Sequence, residues 1–176
     1  MNKKELGIKI YETSHITGEF LLRSGQISNE YFDKYLFESN PYLLKSIAEE
    51  MTFQIPEGTE ILAGLEMGGI PIAAAMSFET GLPTIFVRKK AKEYGTKKLA
   101  EGVDFKGKNV LIIEDVVTTG GQIIKSAKEL RELGAEISFV HCVIVRDPKA
   151  FDNLAEAGLK LLPLFTMEEL KEFVGE

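Results

Sequence analysis

Val110-Leu111-Ile112-Ile113-Glu114-Asp115-Val116-Val117-Thr118-Thr119-Gly120-Gly121-Gln122 is the stretch on which the reading of this 176-residue chain turns. Residues 110–113 are an apolar, β-branch-rich run of the kind that fills a strand buried on both faces. The run delivers two adjacent carboxylates, Glu114 and Asp115, at its C-terminal end. A Thr/Gly loop follows and opens a helix predicted over residues 121–133, which buries Ile123, Ala127 and Leu130 and stops at Gly134. Free backbone N–H groups at a helix start, with the Thr118 and Thr119 hydroxyls beside them, make a cradle suited to a phosphate. Carboxylates beside such a cradle would repel a bare phosphate, but they suit a ligand that also brings hydroxyls or Mg2+. A solvated strand end followed by a plain turn and N-cap accounts for the pieces equally well.

Outward from this stretch the pattern alternates. Residues 61–63, 84–87 and 137–145 read as further buried strands, and residues 69–78 as an Ala-rich helix between the first two. Apolar strands separated by helices predict an α/β fold with a parallel sheet covered on both faces, and ligands in such sheets sit at the carboxyl ends of the strands. On the N-terminal side, residues 3–14 read as a helix, and 20–22 and 31–35 as short extended segments around the Ser24-Gly25 turn. Asn40 then reads as an N-cap with Pro41 at the first helical position, starting a helix that carries Leu44, Ile47, Ala48 and Met51 and ends before Pro56.

Composition narrows the function. With 27 carboxylates against 21 Lys plus Arg, the net charge of −6 argues against nucleic acid as a general partner, which needs a field of cations. No apolar run approaches the roughly 20 residues of a membrane span, and the first ten residues lack the apolar core of a secretory signal. A cytoplasmic address is expected. Cys142 is the single cysteine, so an internal disulfide and a Cys-rich zinc site are excluded, and a buried structural thiol is expected. His141 does not pair with it for a metal, because strand neighbours point to opposite faces. Gly102 to Asn109 nearly matches a P-loop, but it precedes its strand and ends in Asn109, so it reads as a polar turn.

Four other segments carry chemistry. Arg88-Lys89-Lys90-Ala91-Lys92-Glu93-Tyr94-Gly95-Thr96-Lys97-Lys98 holds six cations and one carboxylate directly after the strand at 84–87, inside an otherwise acidic chain. It reads as a lid over a polyphosphate, although most charge runs are merely solvated. Gly64-Leu65-Glu66-Met67-Gly68-Gly69-Ile70-Pro71 is a glycine loop whose amides can approach an anion. Phe20-Leu21-Leu22-Arg23-Ser24-Gly25, with Ser28 and Tyr31-Phe32-Asp33 after it, reads as a hairpin. Arg146 follows the strand at 137–145; an ordinary strand-end cation is an equal reading of its position.

The 110–122 stretch resembles the 5-phosphoribosyl-1-pyrophosphate (PRPP) signature of the type I phosphoribosyltransferases, and the other segments resemble motifs of the orotate phosphoribosyltransferases within that family. The resemblance covers about residues 19–146. It implies a type I phosphoribosyltransferase-like α/β fold with a small N-terminal hood, residues 1–38 forming the helix and hood and 39–176 the core domain. It further implies that Glu114 and Asp115 hold the ribose hydroxyls and that the loop Thr118, Thr119, Gly120 and Gly121 holds the 5′-phosphate, with Val116, Val117 and Gln122 also among the residues that bind PRPP. Met67 and Gly68 of the glycine loop, with Arg88, Lys89 and Lys92, would bind pyrophosphate. Lys92, Glu114 and Asp115 would be catalytic, Lys92 being donated across a homodimer with shared active sites. Arg23, Thr118 and Arg146 would meet orotate, and Mg2+ would arrive mainly through PRPP without a direct protein ligand. The sequence departs from the common pattern at Gln122, where Ser or Thr is usual, at Tyr94, where His is usual, and at Arg23, where Lys is usual; planar Arg and point-like Lys are not interchangeable. Two alternatives stay open: a phosphoribosyltransferase acting on another nucleobase, and a non-catalytic regulator that senses PRPP.

Overall fold

The computed structural model describes residues 1–21, 25–90 and 99–176. Helix α1 (Lys3–Ser14) leads into a hairpin of β1 (His15–Leu21) and β2 (Ile27–Phe32), then α2 (Lys34–Glu38) and α3 (Pro41–Thr52). There follow β3 (Ile61–Leu65), α4 (Gly69–Thr80), β4 (Thr84–Val87), β5 (Ala100–Gly102), β6 (Val110–Val117), α5 (Gly121–Glu132), β7 (Phe139–Val145), α6 (Lys149–Glu156), β8 (Lys160–Thr166) and α7 (Met167–Val174).

The main sheet runs β5-β4-β3-β6-β7-β8. All its neighbours pair parallel except β4 with β5, which closes one edge antiparallel. Helices cover both faces, as the alternation of elements requires. Alternate strand residues feed two cores: Ile61, Ala63, Val110 and Ile112 pack with Ile123, Ala127 and Leu130 of α5 and with Ala150 and Leu154 of α6. On the other face Leu62, Leu111 and Ile113 pack with α3 and α4. Leu6, Ile10, Tyr11, Phe32 and Phe37 belong to that second core, so α1, the hairpin and α2 share their apolar packing with the sheet rather than forming a core of their own.

Several predicted elements change in detail. The segment 31–35 is not extended throughout: β2 ends at Phe32, and the Asp33 side chain accepts from Tyr35 N–H and caps α2. The strand expected at 110–113 continues to Val117, so Glu114 and Asp115 lie within β6 rather than beyond it. The near P-loop is a polar turn before β6, with Gly107 at φ 71°. Cys142 is a free, buried thiol, pushed well above its ordinary pKa by burial. His141 is fully buried, its ring nitrogens 2.7 Å from Leu162 O and 3.0 Å from Met51 O.

Candidate active site

Strand lengths create the site. β3 pairs with β6 only as far as Gly64 opposite Ile113, whereas β6 runs on beside β7 to Val117. The unpaired edge of β6 is covered instead by the glycine loop leaving β3. A side-chain carbon on Gly69 would lie 2.2 Å from Ile113 O, and one on Gly68 1.5 Å from Asp115 Oδ2. Neither position admits any residue but glycine. The peptide Glu66–Met67 in this loop is cis, and Met67 is exposed.

The loop also meets the root of the cationic run. Glu66 N–H donates to Val87 O at 2.8 Å, and Lys89 N–H donates to Glu66 Oε1 at 2.5 Å. Arg88 faces Glu101 at 3.7 Å and donates its N–H to Leu99 O. The structure thus brings the glycine loop, Arg88, Lys89 and the acidic pair to one end of the sheet. Arg23, Lys92 and Tyr94 lie outside the described residues.

Beyond β6, residues Glu114 and 116–123 line a concavity of about 180 Å³. Thr118 and Thr119 are exposed. Gly120 takes the left-handed conformation, φ 82°, that turns the chain into α5, and no side chain caps that helix. Its first N–H groups are therefore available to an anion. Asn153 of α6 holds the loop from outside, donating from Nδ2 to Thr119 O at 2.9 Å. Gln122 donates to Ser126 Oγ one turn along α5, so the amide at the position where Ser or Thr is usual is engaged by its own helix.

The acidic pair is divided by burial. Asp115 has no exposed surface, while Glu114 keeps part of its own. Asp115 Oδ2 is paired with Lys34 Nζ at 2.5 Å, and its Oδ1 accepts from Val116 N–H. Glu114 is held well above the usual carboxylate range, chiefly by burial and then by the charge of Asp115, with Lys34 and Lys89 acting the other way. Among the described residues no group of three or more His, Cys, Asp or Glu side chains is arranged to hold a metal ion.

Arg146 is exposed just past β7, its N–H donating to Val117 O at 2.8 Å. It lines a cavity of about 390 Å³ with Ser28, Tyr31 and Phe32 of the hairpin and with Met167 and Lys171 of α7. The hairpin and Arg146, linked only by resemblance in the sequence, are neighbours in space. Sequence reasoning missed Lys171, His15 and Glu30 around this cavity and Lys34 and Glu38 beside Asp115. A carboxylate capping a turn at Asp33, with Lys34 and Glu38 four residues apart, was the signal for the latter two.

Comparison with known proteins agrees with this geometry. Residues 38–157 match the phosphoribosyl transferase domain family. The chain is 52% identical over 165 residues to an orotate phosphoribosyltransferase of Nocardioides sp., covering 94% of this chain and 92% of that one. It is 43% identical over 153 residues to the orotate phosphoribosyltransferase of Methanocella arvoryzae, covering 87% of each. The crystal structure of the Mycobacterium tuberculosis orotate phosphoribosyltransferase shares the fold, with a TM-score of 0.85 at 24% identity over 96% of this chain and 97% of that one. Sheet order, glycine loop, acidic strand and uncapped helix start thus occur together in a chain that belongs to the phosphoribosyltransferase family, among its orotate phosphoribosyltransferases.

Proposed function

We propose that the protein transfers the 5-phosphoribosyl group of PRPP to orotate, giving orotidine 5′-monophosphate and pyrophosphate. The observation that carries this reading is the convergence of an uncapped helix start, a carboxylate pair and a glycine loop at one end of β6. These supply, in order, a seat for the 5′-phosphate, acceptors for the ribose hydroxyls and a surface for pyrophosphate. High identity to curated orotate phosphoribosyltransferases supports orotate over another nucleobase, and over a sensing role without turnover.

The chain's residues act mainly by placement and electrostatics. Backbone N–H groups of the 118–121 loop and α5 anchor the phosphate end. Glu114 accepts from the ribose, with Asp115 behind it. Displacement at ribose C1 through an oxocarbenium-like transition state sends the electron pair to the leaving pyrophosphate, where Arg88, Lys89 and Lys92 meet the growing charge. Arg23, Thr118 and Arg146 receive the base, Arg146 beside the hairpin. Mg2+ fits as a passenger of PRPP: Asp115 is already paired with Lys34, and a Mg2+ bound to phosphates needs few protein oxygens. When bound it would neutralise pyrophosphate charge. A homodimer in which Lys92 crosses to the partner's site, and a cytoplasmic setting, belong to the same reading; among the described residues no helix is long and apolar enough to cross a membrane.

Incubating the protein with orotate, PRPP and Mg2+ and identifying the nucleotide product by mass tests the proposal. Orotidine 5′-monophosphate with equimolar pyrophosphate is the expected result, and intact orotate would overturn it.

A further inference from the structure

The transfer reading leaves a buried layer beside the acidic pair without a task. α2 begins with Lys34 and ends with Glu38, residues one turn apart. Lys34 reaches Asp115 Oδ2, while Glu38 is buried beside the same carboxylate. The same point above Gly68 lies 1.5 Å from Asp115 Oδ2 and 2.8 Å from Glu38 Oε1, so the two carboxyl oxygens face a common spot that glycine alone leaves open. Two such oxygens form a hydrogen-bonded pair once one of them carries a proton.

We propose that Lys34 and Glu38 are positioning residues for the phosphoribosyl transfer: together they hold Asp115 in one orientation behind Glu114, so that the pair meets the ribose hydroxyls as a fixed acceptor. The inference rests on the transfer reading above. Burying an unpaired carboxylate costs several kcal/mol, and such a group takes up a proton instead. Lys34 supplies the partner for Asp115; burial pulls the ammonium's pKa down, but its bond to and attraction by Asp115 more than offset that. Glu38 is the group that keeps the proton. Burial first, then the hydrogen bond and charge of Asp115, push it up to about 9, Glu114 adding to the effect and Lys34 opposing it. Around Glu38 the charged neighbours are thus Asp115 and Glu114 from β6 and Lys34 from its own helix, and at neutral pH it donates to Asp115. An apolar filling would pack this space with less desolvation. A polar layer has its use where a carboxylate's direction matters, at the strand end that carries the ribose acceptors.

Calorimetric titration of PRPP with Mg2+ into the wild type, Lys34→Met, Lys34→Arg and Glu38→Gln, at pH values from about 6 to about 9.5, tests the assignment. In Lys34→Met the affinity for PRPP falls by about tenfold or more at neutral pH, because Asp115 loses the cation that holds it. In turnover the loss appears in the KM for PRPP more than in kcat, and Lys34→Arg recovers most of it. The wild type loses PRPP affinity on the alkaline side as Glu38 ionises, and Glu38→Gln moves that loss upward by about one pH unit or more. Wild-type PRPP affinity in Lys34→Met, or a deficit that Lys34→Arg does not relieve, would overturn the role of Lys34. An unmoved alkaline limb in Glu38→Gln would overturn that of Glu38. If the wild type binds PRPP but makes no nucleotide from orotate, the transfer reading fails while these titrations still decide the positioning roles. A wild type that binds no PRPP ends both.

Discussion

Gly68 is the residue at which the glycine loop and the acidic strand approach most closely. Because a methyl group there would fall on the Asp115 carboxylate, Gly68→Ala must push the loop and β6 apart. Overpacking of this kind costs about 1–3 kcal/mol. Urea denaturation should show that loss together with weakened PRPP binding, whereas a variant as stable as the wild type would contradict the close approach. Lys92 is argued from the sequence alone: in the proposed transfer its charge would meet the leaving pyrophosphate, so Lys92→Ala should lower kcat by about 10²-fold while PRPP affinity changes far less. A near-normal kcat in steady-state assays would remove it from the mechanism. At this scale the sequence was informative where chemistry is contiguous. Glu114 through Gln122 announce themselves because strand end, loop and helix start are read in one run. Lys34 and Glu38 do not, because their partner Asp115 is distant in sequence and only the packing of α2 against β6 joins them.

Elements place these residues, and one side chain outside the cradle fixes its shape. Asn153 of α6 reaches across to Thr119 O, and that bond ties the loop to α6. Asn153→Ala should raise the KM for PRPP roughly two- to tenfold, the worth of one hydrogen bond of about 0.5–1.5 kcal/mol. The thermal midpoint should shift little, and an unchanged KM would mean that Asn153 does not set the loop. The elements legible in advance were those with long periodic patterns: α1, α3, α4, α5 and the buried strands β3, β4, β6 and β7. β5 was missed because it has three residues and little apolar signal. β8 carries Pro163, which argues against a central strand but is tolerated at the edge position it occupies. α2 escaped notice because Tyr31 to Tyr35 has strand-forming residues, and only the Asp33 cap reveals that the chain turns helical there. α6 and α7 followed the last motif and had no function to draw attention to them, yet α6 holds the loop before α5 through Asn153 and α7 helps enclose Arg146.

For the molecule as a whole, buried titratable groups make stability depend on pH from both sides. Burial lowers the pKa of His141, against the pull of the carbonyls that face it. A depressed histidine is neutral when folded and takes up a proton when unfolded, so its contribution is lost as pH falls below about 6.5. Glu38 behaves oppositely: its folded pKa of about 9 exceeds the ordinary value of 4.5, and stability drains as pH rises toward that figure. Measured by urea unfolding, the wild type should lose stability relative to His141→Gln between about pH 7 and 5, and relative to Glu38→Gln between about pH 7 and 9.5. Parallel curves for wild type and variant in either window would contradict the corresponding assignment.

The net charge of −6 hides a local reversal, since the run from Arg88 to Lys98 carries six of the cations and a single carboxylate. The run's first residues, Arg88 and Lys89, lie at the same end of the sheet as the glycine loop, with Lys89 N–H donating to Glu66, and that end is where a pyrophosphate would leave. The central claim is that this end of the sheet transfers phosphoribose to orotate. It is tested most directly by following pyrophosphate release from PRPP and Mg2+ with orotate, uracil, adenine, hypoxanthine and guanine in turn. Orotate should support release with a kcat/KM at least about 10³-fold above any other base, because a site built to bind a buried polar or charged group rejects analogues that lack it. Release with another base at comparable efficiency, or with none of them, would contradict the account.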